Sequence, residues 1–166
     1  MRLTMTGLLV CALALPGASA IAQAEPAPLP LVSVTSIPDG WSQRTDLRPV
    51  LQVFADGKAV HSPDAVSKDR KPETAAKRVD GTVPEDVLAA AREEITALRE
   101  IDFGIPAGEG KGTTIIDLMP DDVDGETHLV VYSPDASDGL NDDQKAARKR
   151  FADLYKKLVD SFKEKR

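Results

Sequence analysis

The sequence predicts an α+β fold, in which an antiparallel sheet of about four to five strands carries two amphipathic helices packed on one face. Three observations favour this class: the strand-like segments occur in pairs that suggest hairpins, two well-separated segments have helical periodicity, and no segment repeats. Because each helical segment has one apolar stripe, each needs a single surface to cover, and one sheet face serves both.

The first 24 residues have the layout of a secretory signal peptide. Met1-Arg2 supplies a positive charge, residues 7–15 (GLLVCALAL) are apolar, and Pro16-Gly17 ends the run. Cleavage is expected after Ala24, with Ala20 as the alternative. The run has nine residues, well short of the roughly 20 that span a bilayer. We therefore expect a secreted, extracellular or envelope-associated protein with no membrane span after processing.

The composition narrows the classes of partner. The formal net charge is −6, which disfavours nucleic-acid binding because that binding depends on neutralising phosphates with Lys and Arg. The single cysteine, Cys11, lies inside the predicted signal peptide, so the mature chain has no disulfide.

Residues 25–48 are expected to be an extended lead-in and loop, and residues 49–166 a single α+β domain.

The first half of the chain is expected to be mainly strands. Residues 31–36 alternate and are rich in β-branched side chains, which indicates a short strand. Residues 50–55 and 58–61 flank Asp56-Gly57, a dipeptide typical of a two-residue hairpin turn. A polar loop is predicted over residues 62–76 (SPDAVSKDRKPETAA), and residues 77–79 are expected to return to the sheet. Loops of this length are usually functional or disordered.

The first helix is expected to open at Thr82, which has capping-box spacing with Glu85 and has Pro84 in its first turn. Gly104 is expected to end it. Its apolar stripe consists of Leu88, Ala91, Ile95, Leu98 and Ile101.

Two strands and a terminal helix complete the predicted order. Residues 113–119 and 127–132 have the composition of strands, and a helix is expected from Asn141, capped by Gln144. The stripe of this helix consists of Ala147, Phe151, Leu154, Leu158 and Phe162.

Unexplained aromatic and basic residues fall in the loops. Trp41 and Arg44 lie in a turn-rich segment, and tryptophan is enriched at binding hot spots, although it also plugs the ends of cores. Lys68, Arg70 and Lys71 lie in the polar loop, where they either meet an acidic partner or are simply solvated. We take these five residues as the candidate interaction surface.

A catalytic alternative depends on His128. This residue and Asp117 are expected to approach across a hairpin, with Ser133 beyond the strand, which would suit a hydrolase that uses His128 with nearby carboxylates. The sequence has no H-E-x-x-H or G-x-S-x-G motif. The acidic residues from Asp117 to Glu126 contain only part of an EF-hand pattern, so we predict neither a metal nor a cofactor.

Several stretches together resemble a group of small secreted proteins from high-GC Gram-positive bacteria that has no established function. They are GWSQRTDLRP (40–49), DFGIP (102–106), GTTIIDLMP (112–120), HLVVYSP (128–134) and DGLNDDQKAARKRF (138–151). In layout alone, the chain is also similar to emfourin-like inhibitors of thermolysin-type metalloproteases. Neither resemblance implies a catalytic residue. The sequence thus favours a secreted, non-enzymatic interaction module that contacts an extracellular protein or envelope component, with protease inhibition as one form of it.

Overall fold

The computed structural model describes residues 28–108 and 111–165. The predicted signal peptide and both cleavage points lie outside the described residues. Within them, no helix is both long enough and apolar enough to cross a membrane.

The described chain has an α+β fold built on one seven-stranded antiparallel sheet, so the expectation of four to five strands was too low. The spatial order is β6-β5-β1-β2-β3-β4-β7. The strands are β1 (Val32–Ile37), β2 (Leu51–Val53), β3 (Lys58–His61), β4 (Val79–Thr82), β5 (Thr113–Leu118), β6 (Thr127–Tyr132) and β7 (Lys163–Glu164). Strand β7 was not predicted, because a strand of two residues is too short to show a periodic pattern.

Strand β1 lies inside the segment expected as a lead-in, and it occupies the middle of the sheet between β5 and β2. Val32 and Val34 are fully buried. The sheet therefore includes residues that precede position 49.

The predicted β2–β3 hairpin is confirmed, but its turn differs from the expected two-residue type. Phe54 N–H donates to Lys58 O (2.8 Å) and Gly57 N–H donates to Phe54 O (2.9 Å). Gly57 has φ +77°, whereas Asp56 has no positive φ. A type I′ turn needs positive φ at both central residues, so the connection is a three-residue loop with a glycine bulge.

Helix α1 (Glu85–Leu98) begins later and ends earlier than expected. Thr82 belongs to β4, and Pro84 precedes the helix without a side-chain cap, so the predicted capping box is wrong. Leu88, Ala91, Ile95 and Leu98 are buried as predicted. Ile101 lies beyond the helix and is 41% exposed. The helix stops before Gly104, which therefore does not terminate it.

Helix α2 (Asp142–Asp160) has the predicted capping box. Gln144 N–H donates to Asn141 Oδ1 (2.8 Å), and Asn141 N–H donates to Gln144 Oε1 (3.1 Å). The stripe from Ala147 to Leu158 is buried, whereas Phe162 lies past the helix end and packs on the His61 ring, with centroids 5.2 Å apart.

Both helices share one core with the sheet. Leu88 and Ile95 of α1 and Leu158 of α2 belong to the same buried cluster as Val34 and Ile116 of the strands. Because side chains alternate along a strand, Ser33, Asp117 and His128 lie on the opposite sheet face.

Candidate functional site

Two long loops leave the same end of the sheet and pack on each other. Residues 38–49 join β1 to β2, and residues 62–78 join β3 to β4. Ser62 N–H donates to Val50 O (2.8 Å), Arg44 Nη1 donates to Arg70 O (3.0 Å), and Arg48 Nη2 donates to Thr74 O (3.3 Å). We call residues 38–49 and 62–78 together the loop pair.

Two guanidinium groups of the loop pair lie close to the Trp41 indole ring. The Arg44 guanidinium carbon is 3.9 Å from the centre of the indole ring, and that of Arg70 is 5.0 Å away. Cations over an indole face are attracted by the ring quadrupole. Three of the five predicted interaction residues are therefore in contact with one another.

Asp46 provides the negative charge of this cluster. Arg44 donates from Nε (2.8 Å) and Nη2 (2.6 Å) to its two carboxylate oxygens. Arg70 Nη1 also donates to the carboxylate, and to Asp46 O (3.1 Å). The hydrogen bonds from Arg44, followed by the charges of both arginines, lower the pKa of Asp46 to about 2.

We expect the loop pair to loosen in acid because of this pKa. The ionised Asp46 is stabilised only in the folded chain, so its contribution is complete above its ordinary pKa of 3.8 and is lost as the pH falls through about 2. Trp41 is the only tryptophan, so its fluorescence reports on the loop pair. The wild type should show a transition between about pH 4 and 2. The Asp46→Asn variant should lack this transition. Identical acid titrations of the wild type and the variant would show that Asp46 does not cause it.

Lys68 and Lys71 do not join the cluster. Both side chains are exposed on the same loop as Arg70. The loop pair contains seven Lys or Arg and five Asp or Glu residues, a net charge of +2 in a chain of net charge −6. It is therefore a locally basic surface on an acidic protein.

The five residues predicted from the sequence did not include Asp46 or Arg48. The available signal was the spacing Arg44-x-Asp46-x-Arg48 (RTDLR), which places one carboxylate within reach of two arginines in a short loop. The decisive partner, Arg70, lies 24 residues from Asp46, so the sequence could not connect them.

Asp117 and His128 approach across β5 and β6, as predicted. His128 Nδ1 is 2.7 Å from Asp117 Oδ1, and Ser33 Oγ donates to Asp117 Oδ2 (3.1 Å). Ser133 is not part of this group, because its Oγ accepts from Lys111 N–H (2.9 Å). A hydrolytic triad needs the imidazole between the hydroxyl and the carboxylate. Here the carboxylate is in the middle, so the Ser33 proton is directed to Asp117 and the base does not activate the hydroxyl.

Two surface grooves lie elsewhere in the described part of the chain. One groove is formed between α1 and α2 around Glu94 and Arg150, and a second lies around Asp102 and Gln144. Neither includes His128, whose side chain extends from the sheet face opposite the helices. Over residues 28–108 and 111–165, no three His, Cys, Asp or Glu side chains are grouped to hold a metal ion.

Comparison of the chain with protein-family models, curated proteins and solved structures found no match.

Proposed function

We propose that the protein is a secreted, non-enzymatic interaction module that contacts an acidic extracellular protein or envelope component through the loop pair. The observation that carries the proposal is the Arg44–Trp41–Arg70 cluster, because it holds two long loops in one surface. Export rests on the signal-peptide pattern of residues 1–24.

The cluster makes this surface suited to binding. Long loops lose conformational entropy when a partner orders them, and the part of the loops that the cluster of Trp41, Arg44 and Arg70 already fixes avoids much of that loss. The side chains of Arg44 and Asp46 are 16% and 15% exposed and that of Arg70 is 1% exposed. Ion pairs shielded in this way are screened by salt less than surface pairs are.

Charge indicates the kind of partner. The loop pair has a net charge of +2, and the exposed Lys68 and Lys71 belong to it. A basic patch attracts acidic partners, while the net negative charge of the whole chain opposes its self-association. An acidic protein surface or envelope component therefore fits best.

The arrangement around His128 supports a non-enzymatic role. Asp117 accepts from Ser33 and contacts His128, so the only hydroxyl in the group is already paired with a carboxylate. This pairing explains the group as a cross-strand hydrogen-bond network of the sheet face.

Affinity capture with charge variants tests the proposal. The tagged protein is incubated with culture supernatant and envelope extract of the source organism, and the bound partner is quantified by mass spectrometry. Lys68→Glu/Lys71→Glu should recover about tenfold less partner than the wild type, since reversing contact charges makes attraction into repulsion.

The matched control is Lys145→Glu/Lys157→Glu, which makes the same charge change at two exposed positions of α2. It should recover partner as the wild type does. Equal recovery by both double variants would contradict the proposal, as would an empty capture from folded wild-type bait.

A further inference from the structure

We infer that the loop pair contains a phosphate-binding site built on the Nε–Nη2 edge of Arg70, with Arg48 Nη1 as a further donor. The inference rests on the proposed function, since it names the ligand chemistry of the same surface.

Arg70 is a buried cation with part of its hydrogen-bonding capacity unused. Its side chain is 1% exposed, and only Nη1 donates to Asp46. Nε and Nη2 are buried and have no acceptor among the described residues. A buried donor that lacks a partner is destabilising, so a ligand that supplies acceptors there gains free energy on binding.

Arg44 shows in the same cluster what this edge of a guanidinium binds. Its Nε and Nη2 donate to the two oxygens of Asp46 at 2.8 and 2.6 Å. This side-by-side geometry suits any group with two oxygens in one plane, namely a carboxylate or a phosphate. The corresponding edge of Arg70 offers the same pair of parallel donors.

Arg48 adds a second donor and the charge balance favours an anion. Its Nη1 is buried without an acceptor in the described part of the chain, while Nη2 donates to Thr74 O. Asp46 opposes the charges of Arg44 and Arg70, and Glu73 more weakly opposes that of Arg44, whereas Arg48 forms no ion pair within the described residues. The remaining positive charge and the extra donor favour phosphate, whose further oxygens accept more bonds than a carboxylate offers.

Because the Arg70 edge is buried, a ligand reaches it only if the loop moves, and residues 71–78, which follow Arg70 directly, are an exposed segment able to move. All eight are exposed. Long hydrogen bonds tie the segment down, from Arg48 Nη2 to Thr74 O (3.3 Å) and from Lys77 N–H to the Asp64 carboxylate (3.3 Å). A segment with few buried contacts opens at low free energy. Displacing this segment breaks the bond to Thr74 O and frees Arg48 Nη2.

Fluorescence of Trp41 tests the site directly, because the Arg70 guanidinium lies over the indole ring. The protein is titrated with inorganic phosphate, with chloride replacing it at constant ionic strength in the reference. The wild type should show a saturable change. Arg70→Lys keeps the charge but removes the paired donors, so we expect its apparent Kd for phosphate to be at least tenfold higher than that of the wild type. Arg92→Lys, at an exposed position of α1, is the matched control and should titrate like the wild type.

A second variant keeps the test decisive if Arg70→Lys does not fold. Arg48→Gln should weaken phosphate binding by about threefold or more, because it removes one charged donor. A response that does not saturate, or equal titrations of the wild type and both loop variants, would overturn the inference. If phosphate does not bind while Lys68→Glu/Lys71→Glu still loses its captured partner, the phosphate site alone fails and the interaction surface stands.

Discussion

Arg148→Ala should lower the free energy of unfolding by about 3–5 kcal/mol, because it removes a buried charged group that satisfies several backbone carbonyls. Arg148 is 6% exposed. Its Nη1 donates to Phe103 O (3.2 Å) and Gly104 O (3.4 Å), and its Nη2 donates to Tyr132 O (2.7 Å) and Ser133 O (2.5 Å). Burial lowers the pKa of Arg148, and the carbonyl dipoles offset part of that desolvation.

The position of these carbonyls makes Arg148 the link between three parts of the fold. Phe103 and Gly104 follow α1, Tyr132 ends the edge strand β6, and Arg148 itself lies in α2. By bonding Tyr132 O at the sheet edge, Arg148 also covers a backbone group that would otherwise be available to another chain.

Urea denaturation of Arg148→Ala and Lys149→Ala measures this effect. Lys149 is the neighbouring residue of the same helix, with a side chain 75% exposed and one ion pair to Asp153. Its removal should change stability by less than about 0.5 kcal/mol. If the two variants unfold at the same urea concentration, the four hydrogen bonds of Arg148 do not contribute the expected free energy of unfolding.

Gly81→Ala should lower the free energy of unfolding by about 1–3 kcal/mol through overpacking. A Cβ at position 81 would lie 2.3 Å from Lys163 O and 2.5 Å from the Phe162 ring. Gly81 pairs with Glu164, so the backbone of β7 cannot retreat without breaking the β4–β7 ladder. Its φ is not in the left-handed region, so the clash is the sole cause of the penalty.

Removing residues 162–166 separates this clash from any other effect of the substitution. In the truncated chain, Gly81→Ala should be neutral or stabilising by up to about 1 kcal/mol, since alanine restricts the unfolded chain more than glycine does. The coupling between the two changes is read from the four chains by thermal and denaturant unfolding. An unchanged penalty in the truncated chain would show that Phe162 and Lys163 are not the obstacle.

Local signals in the sequence predicted α2 better than α1. The cap at Asn141 and Gln144 depends on residues three apart, and the structure forms it. Thr82 and Glu85 have the same spacing, yet Thr82 pairs with Lys58 and Lys163 in the sheet. Tertiary pairing overrode a local preference there, and no local pattern reports such pairing.

The candidate sites likewise depend on contacts between residues far apart in the sequence, which local patterns do not report. The Asp117–His128 contact follows from adjacent strands of a hairpin and was predictable. Ser33 joins the same carboxylate from 84 residues away, because β1 pairs with β5. Trp41, Arg44 and Arg70 were singled out by residue type, but their contact depends on two loops meeting across the end of the sheet.

Amide hydrogen exchange, measured on the protein alone and in complex with its captured partner, tests most directly whether the loop pair is the binding surface. We predict that slowed exchange on binding is confined to residues 38–49 and 62–78, the loop pair. Protection of residues 113–118 and 127–132, which surround Asp117 and His128, with the loop pair unchanged would contradict it.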